Sequence, residues 1–287
     1  MTTQIPSRRF ALRDSRCGLA VLLLIGSTLA ANMAGAQLVV SASSDVTIAL
    51  GSNAEVAADQ DVAIESGAGF AILEDVGGLP DSADLVGYGQ TLTGERLIVL
   101  DTTASLPGGL VAGRGDVVLF DGVSFSPVFD ASSEGVPSGA ITDAVSLAPN
   151  GLLLSFDTTV DLLGVIAADE DLVRWNGVGY SLVFDGSAQG IDRALDIDGA
   201  QDLGGGAFLM SFDTSGEVGG VVFADEDVLR FDSAGWSLAY DASVFDPDWR
   251  AADLDAVFVP EPSGALRIGG GLLAFVAARS RRLRSRI

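Results

Sequence analysis

The sequence predicts an all-β fold built from four copies of one unit, and three observations lead to it. The stretch from Asp169 to Asp185 reads as one β-hairpin, its two apolar arms meeting at Asn176-Gly177, a dipeptide that accepts the positive φ of a reversing turn. Its markers recur in register: the acidic start at Asp61, Asp116, Asp171 and Asp227, the aromatic opening the second arm at Phe70, Phe125, Tyr180 and Trp236, and the closing acid at Asp75, Asp130, Asp185 and Asp241. Each series steps by 55, 55 and 56 residues. A fixed period in this range is the signature of a repeat architecture, and four copies in 287 residues argue for a single closed body over residues 37–259.

Taken in order, the body opens with Gln37 to Ser43 and then Asp45 to Leu50, short β-rich pieces ended by Gly51-Ser52-Asn53. Each later hairpin is preceded by an apolar strand closed by an acid, at Leu97 to Asp101, Leu153 to Asp157 and Leu209 to Asp213. A weaker strand stands before each of these, near Asp84 to Tyr88, Asp143 to Leu147 and Asp196 to Ala200. Four short strands with polar or Gly-rich turns are the content of one β-propeller blade, so the expected fold is a four-bladed propeller. The body then begins with the second strand of a unit and ends with a lone first strand, Asp253 to Val259. Pairing that strand beside Asp45 to Leu50 would complete a blade from both chain ends and leave no open edge. Two other arrangements stay open. An open solenoid needs polar caps that neither end offers, and Gln37 to Ser43 acting as a first strand would make the C-terminal one redundant. The repeat also gives its markers structural roles: the aromatics pack between blades, and the closing acids cap turns by accepting from backbone N–H groups.

Charge and composition exclude several functions. Lys and His are absent, and between Gln37 and Pro262 stand 38 acidic residues against six Arg, a formal charge of −32. Such a surface repels nucleic acid and attracts divalent cations or basic partners, besides keeping the protein soluble. Without His there is no Ser-His-Asp or Cys-His nucleophile system and no imidazole metal site. Paired carboxylates remain for catalysis, as in glycoside hydrolysis, but among so many acids spacing alone selects no pair. Clustered oxygen ligands recur at Asp59-Gln60-Asp61, Asp169-Glu170-Asp171 and Asp225-Glu226-Asp227, which makes Asp59, Asp61, Asp169, Glu170, Asp171, Asp225, Glu226 and Asp227 candidate Ca²⁺ ligands. Read otherwise, the triplets are solvated acidic turns. In the second unit Arg114-Gly115-Asp116 breaks the series, against one symmetric site; as an adhesion tripeptide it is weak, because Asp116 already belongs to the repeat. Asp196-Ile197-Asp198-Gly199 resembles the opening of a Ca²⁺ loop but lacks the later ligands of an EF-hand. Arg174 and Arg230 stand three residues after Asp171 and Asp227, as if to pair with them.

The ends carry an address. Arg8, Arg9, Arg13 and Arg16 precede an apolar run from Gly18 to Ala31 and a small-residue cleavage site, Ala34-Gly35-Ala36, which predicts a secretory signal peptide over 1–36 removed after Ala36. Ser7 to Leu12 also resembles a twin-arginine export signal, with Ala11 off that pattern. Removal takes away Cys17, the only cysteine. At the far end Pro260-Glu261-Pro262 is followed by a mostly apolar run to Ala278 and then by Arg279, Arg281, Arg282, Arg284 and Arg286. Residues 260–287 thus resemble the PEP-CTERM sorting tail of Gram-negative bacteria, although Arg267 interrupts an apolar run already short for a bilayer span. The resemblance implies an exosortase-type processing enzyme as partner, a transient membrane anchor, removal of the tail, and a destination at the cell surface or in an exopolysaccharide matrix. The function expected is a non-catalytic, structural or carbohydrate-binding one. The alternative, a carboxylate-dependent surface glycosidase or lyase, requires two carboxylates facing across a concave pocket.

Overall fold

Runs such as Leu97-Ile98-Val99-Leu100 and Leu152-Leu153-Leu154 are apolar at every position, so both faces of these strands need cover. The computed structural model, which describes residues 38–41, 46–50, 53–65, 70–76, 78–245 and 247–259, supplies that cover by setting sheet against sheet. Among the described residues there are four four-stranded antiparallel sheets. From inner to outer strand the first holds Ala256–Phe258, Leu38–Ser41, Asp61–Glu65 and Phe70–Asp75, and the second Leu85–Gln90, Arg96–Leu100, Val117–Phe120 and Phe125–Phe129. The third holds Thr142–Ala148, Gly151–Phe156, Leu172–Trp175 and Tyr180–Phe184, and the fourth Gly199–Gly204, Ala207–Ser211, Asp227–Asp232 and Gly235–Asp241.

The sheets follow one another in a closed cycle, each inner strand touching the inner strands before and after it. Apolar burial divides the same way, into four clusters with one in each gap between sheets. Alternate residues of one strand serve two of them: Leu97 and Val99 pack towards the third sheet, Ile98 and Leu100 towards the first. Small residues let the inner strands approach. A Cβ on Gly87 would lie 2.9 Å from the Asp143 carbonyl oxygen, and one on Gly199 would lie 2.4 Å from the Ser211 hydroxyl and 3.0 Å from the Val257 nitrogen. A side chain at either position would push neighbouring sheets apart.

The repeated hairpin forms as expected, with Leu172 pairing with Phe184 and Trp175 with Tyr180. Asn176 Oδ1 accepts from the N–H groups of Val178 and Gly179, which fixes the turn. Three expectations need correction. The C-terminal strand does close the first sheet, but it pairs with Leu38–Ser41, Val39 opposite Phe258, and not with the stretch Asp45 to Leu50. That stretch, as Val46–Leu50, pairs with Asn53–Ala57 in a separate hairpin. Equivalent small hairpins stand between the second and third strands of the other sheets, at Ala104–Ser105 with Val111–Ala112, Val160–Leu162 with Val165–Ala167, and Gly216–Val218 with Val221–Phe223. The unit therefore has six strands rather than four. The inner strand expected at Asp196 to Ala200 starts later, at Gly199, because Asp196 and Asp198 belong to its lead-in.

The aromatics do pack between sheets where their side chains are described. Tyr180 meets Phe129 edge-on and donates to the Glu134 carbonyl, and Trp236 packs on Phe184 and donates to the Gln189 carbonyl. Arg174 and Arg230 find other partners than expected: Arg174 reaches Asp202 of the fourth sheet at 3.3 Å, and Arg230 holds Asp232 at 2.9 Å. Residues 1–36, with Ala34 and Ala36, and residues 260–287, with Pro260, Glu261 and Pro262, lie outside the described residues. Among the described residues no helix is long and apolar enough to cross a membrane.

Candidate functional site: acids where the inner strands begin

The acids fall into three sets by what their oxygens touch. The first is the repeated Asp61, Asp116, Asp171 and Asp227, whose carboxylates accept from the N–H groups of Ala58, Gly113, Ala168 and Ala224 at 2.8 to 3.0 Å. Asp116 and Asp171 take a second backbone bond, from Ala131 and Gly186. The second set closes the outer strands. Asp130, Asp185 and Asp241 accept from the N–H groups of Ser133, Ala188 and Val244, as the sequence led us to expect. These aspartates build turns, since each replaces water on N–H groups that the chain reversal leaves without a strand partner.

The third set lies at the start of the inner strands, and two hydrogen-bonded joints place it there. The N–H groups of Asp84, Ile141 and Asp196 donate to the carboxylates of Asp101, Asp157 and Asp213, and the N–H of each latter residue donates back to the carbonyl of the former. The lead-in is also tied to the preceding sheet, because the carbonyls of Asp59, Asp169 and Asp225 accept from the N–H groups of Leu85, Ile197 and Leu254. Asp84, Ile141, Asp196 and Asp253 thus occupy one equivalent position, and Val86, Asp143, Asp198 and Asp255 another, two residues on.

Here carboxylates from three sheets converge. Oxygens of Asp143, Asp196 and Asp198 lie within 4.8 Å of one another, as do oxygens of Asp198, Asp253 and Asp255. Partners are few. Asp143 Oδ1 accepts from the Ala144 N–H and the Ser155 hydroxyl, but a buried oxygen on each of Asp84, Asp143, Asp196, Asp198, Asp253 and Asp255 has no hydrogen-bond partner. Burial first, and then the neighbouring negative charges, raise the carboxyl pKa values: Asp255 is pushed up to about 9 and Asp84 to about 7, with Asp143, Asp196, Asp198 and Asp253 raised as well. Asp143 and Asp253 are exceptions in the second cause: hydrogen bonds of Asp143 with Ser155 and Ala144, and of Asp253 with Asp198, pull their values down before neighbouring charges raise them.

The acidic triplets expected to hold Ca²⁺ are spread over the first, third and fourth sheets and are not brought together. Their third residues, Asp61, Asp171 and Asp227, are turn caps. Their first residues, Asp59, Asp169 and Asp225, supply the inter-sheet carbonyls and flank the convergent cluster. In the third and fourth sheets the middle residue of the triplet is buried, Glu170 at 2% exposed and Glu226 at 4%, and burial raises the Glu170 carboxyl, whereas Asp59, Gln60 and Asp61 are half-buried. In the second unit Gly115 sits in this place with φ +75°, and a Cβ there would lie 2.9 Å from the Thr142 nitrogen, so backbone packing explains the break in the series. Of the cluster itself, sequence reasoning singled out only Asp196 and Asp198. The signal that carries the rest is a repeat within the repeat: Ile141-Thr142-Asp143, Asp196-Ile197-Asp198 and Asp253-Leu254-Asp255 align once the inner strands are in register.

No family model and no curated protein sequence matches the chain. Solved structures similar to it include YCF48 bound to a D1 peptide, at 8% identity over 70% of this chain and 57% of that one, with a TM-score of 0.28. A protein of unknown function from Bacteroides caccae matches at 14% identity over 71% of this chain and 56% of that one, with a TM-score of 0.25. The chain spans a little over half the length of each.

Proposed function

We propose that the chain is a four-bladed β-propeller exported to the surface or exopolysaccharide matrix of a Gram-negative bacterium, where it serves as a non-catalytic structural or carbohydrate-binding component sorted by an exosortase-type enzyme. The supporting observation is the way the chain leaves the cycle of sheets. Gln201 Nε2 donates to the Val259 carbonyl at 2.9 Å, and the Val259 N–H donates to Gln201 Oε1 at 2.7 Å. The residue directly before Pro260-Glu261-Pro262 is therefore clamped to the inner strand of the fourth sheet, and the sorting motif starts from a fixed point. A non-catalytic role fits the acids: the repeated ones are occupied with backbone N–H groups, and Asp143 and Asp255 are buried.

Processing tests this reading. In a host with a matching exosortase, intact-mass measurement should give a mature protein that starts at Gln37 and lacks the Arg cluster, and Glu261→Ala should retain the tail and stay in the wrong compartment. A mature wild-type protein still carrying Arg279 to Ile287 would overturn tail removal.

A further inference from the structure

We propose that the convergent aspartates form a Ca²⁺ site that ties the C-terminal closing strand to the third and fourth sheets, with Asp198 at its centre, Asp143 and Asp196 on one side, and Asp253 and Asp255 on the other. Three sheets supply these five carboxylates, and Asp198 belongs to both convergent groups.

Ligand distance supports the assignment. Calcium binds oxygen at 2.3–2.6 Å and takes six to eight ligands, so two ligands on opposite sides of one ion stand at most about 5 Å apart. The oxygens of each group meet that limit within 4.8 Å without rearrangement. Burial points the same way. Asp143 and Asp255 are each 7% exposed, more than nine-tenths buried, yet Oδ2 of each has no hydrogen-bond partner and belongs to a carboxylate of the cluster. A buried oxygen acceptor without a donor keeps the cost of its lost hydration, and buried polar groups are rarely left so. Elsewhere in the same protein buried aspartates obtain backbone donors, as Asp171 does from Ala168 and Gly186. Here several acceptors converge and, although Asp143 Oδ1 is served by Ala144 and Ser155, one buried oxygen of every carboxylate is left without a donor, which is the arrangement a hard cation satisfies. With oxygen as the only ligand atom the site favours Ca²⁺ over softer metals, and its irregular cluster suits the variable geometry of Ca²⁺ better than the octahedron of Mg²⁺.

The site is distinct from the turn caps and independent of export. The proposal therefore stands or falls without the sorting tail. Wild-type protein dialysed against a chelator should bind Ca²⁺ saturably by isothermal titration calorimetry, and Mg²⁺ at least tenfold more weakly. Asp198→Asn, which keeps the side-chain shape, should weaken Ca²⁺ binding at least tenfold, whereas Asp81→Asn, at an exposed loop, should leave it unchanged. Metal analysis after gel filtration of the wild type gives a count that no variant's folding affects, and at least one ion per chain is expected. No bound Ca²⁺ in the wild type, or equal affinity in wild type and Asp198→Asn, would overturn the site. Equal heats with Na⁺ at matched ionic strength would show charge screening alone and would overturn it as well.

Discussion

Asp171 and Asp255 are the same residue type at the same depth, 8% and 7% exposed, and their surroundings treat them in opposite ways. Asp171 directly precedes the third strand of the third sheet and receives two backbone N–H groups, at 2.9 Å from Ala168 and 2.8 Å from Gly186. Asp255 leads into the closing strand of the first sheet, its Oδ2 receives no hydrogen bond, and burial with the charges of Asp84 and Asp253 pushes its carboxyl up to about 9. Asp227 falls between: one N–H from Ala224, one orphan oxygen, and a value of about 6. Depth alone therefore does not decide whether a buried aspartate stabilises this fold. The supply of donors does, and a chain reversal supplies N–H groups that the start of a paired inner strand has already spent on its neighbours.

The largest effect should come from removing the acid-poor gain and the acid-rich cost together. A chain ending at Pro247 loses Asp253 and Asp255, but also Trp249, Leu254 and Val257 from the core between the fourth and first sheets. At about 1.5–3 kcal/mol for each large apolar side chain, that core loss is roughly 5–9 kcal/mol, comparable to the whole stability of a typical domain. Relief of repulsion among acids is smaller, and the lost strand also uncovers the edge of Leu38–Ser41. Cooperative thermal unfolding followed by circular dichroism should disappear. An unchanged melting temperature would mean that the closing strand contributes little and that the cycle of sheets is not a cooperative unit.

The intermediate effect separates the two aspartates directly. Asp171→Ala should destabilise by about 2–4 kcal/mol, since it leaves two buried N–H groups without acceptors. Asp255→Asn in ion-free protein at pH 8 should leave stability unchanged or raise it, since the folded carboxyl, pushed up to about 9, must hold a proton that the unfolded chain has released, and the amide removes that cost and leaves no donor stranded. Urea unfolding of both variants beside the wild type measures the difference. If both variants lose the same amount, donor supply is the wrong explanation.

The repeat made the turn caps legible and hid the axial cluster. Asp130, Asp185 and Asp241 keep one register because each closes an outer strand and caps the turn behind it, a local relation that sequence spacing preserves. The cluster is assembled by closure: Asp143, Asp198 and Asp255 are far apart in sequence and meet only because the inner strands share one centre. The closing strand itself was legible, its partner less so. Val46 to Leu50 has the β-branched, apolar look of a sheet strand but forms the inserted hairpin, whose short counterparts at Ala104–Ser105 and Val160–Leu162 give weak signals of their own. Leu38–Ser41 is the true partner, and at four residues it is too short for pattern alone to rank it above Val46–Leu50. The Arg174 pairing was misplaced for a related reason: spacing along the strand suggested Asp171, whereas Asp202 comes from the neighbouring sheet; Arg230 pairs instead with Asp232, two residues on in its own strand.

The smallest effect, and the sharpest in sign, belongs to Asp84. It stands in the second sheet at the position that Ile141 fills in the third, so the fold accepts an uncharged side chain there. Its backbone N–H donates to Asp101 Oδ1 whatever the side chain, while its own Oδ1 is buried without a partner. Burial first, and then Asp59 and Asp101, push its carboxyl to about 7 from an unfolded value of 3.8. Between those values the folded state holds a proton that the unfolded state has released. The stability from that proton is complete below 3.8 and is lost as pH rises through 7. Asp84→Asn removes the group that titrates, so the gain should appear at pH 8 and vanish at pH 3, where folded and unfolded wild type are both protonated at this site. Because the carboxyl is partly screened by solvent, the gain at pH 8 should be nearer 1 kcal/mol than the full value of such a displacement, a rise of about 2–4 °C in the melting temperature of the ion-free protein. An equal gain at both pH values would assign the effect to the new amide's hydrogen bonds. A loss at pH 8 would mean that the charge at Asp84 is useful to the fold, and the contrast between capped and uncapped aspartates would then fail at the position where the repeat itself offers the uncharged alternative.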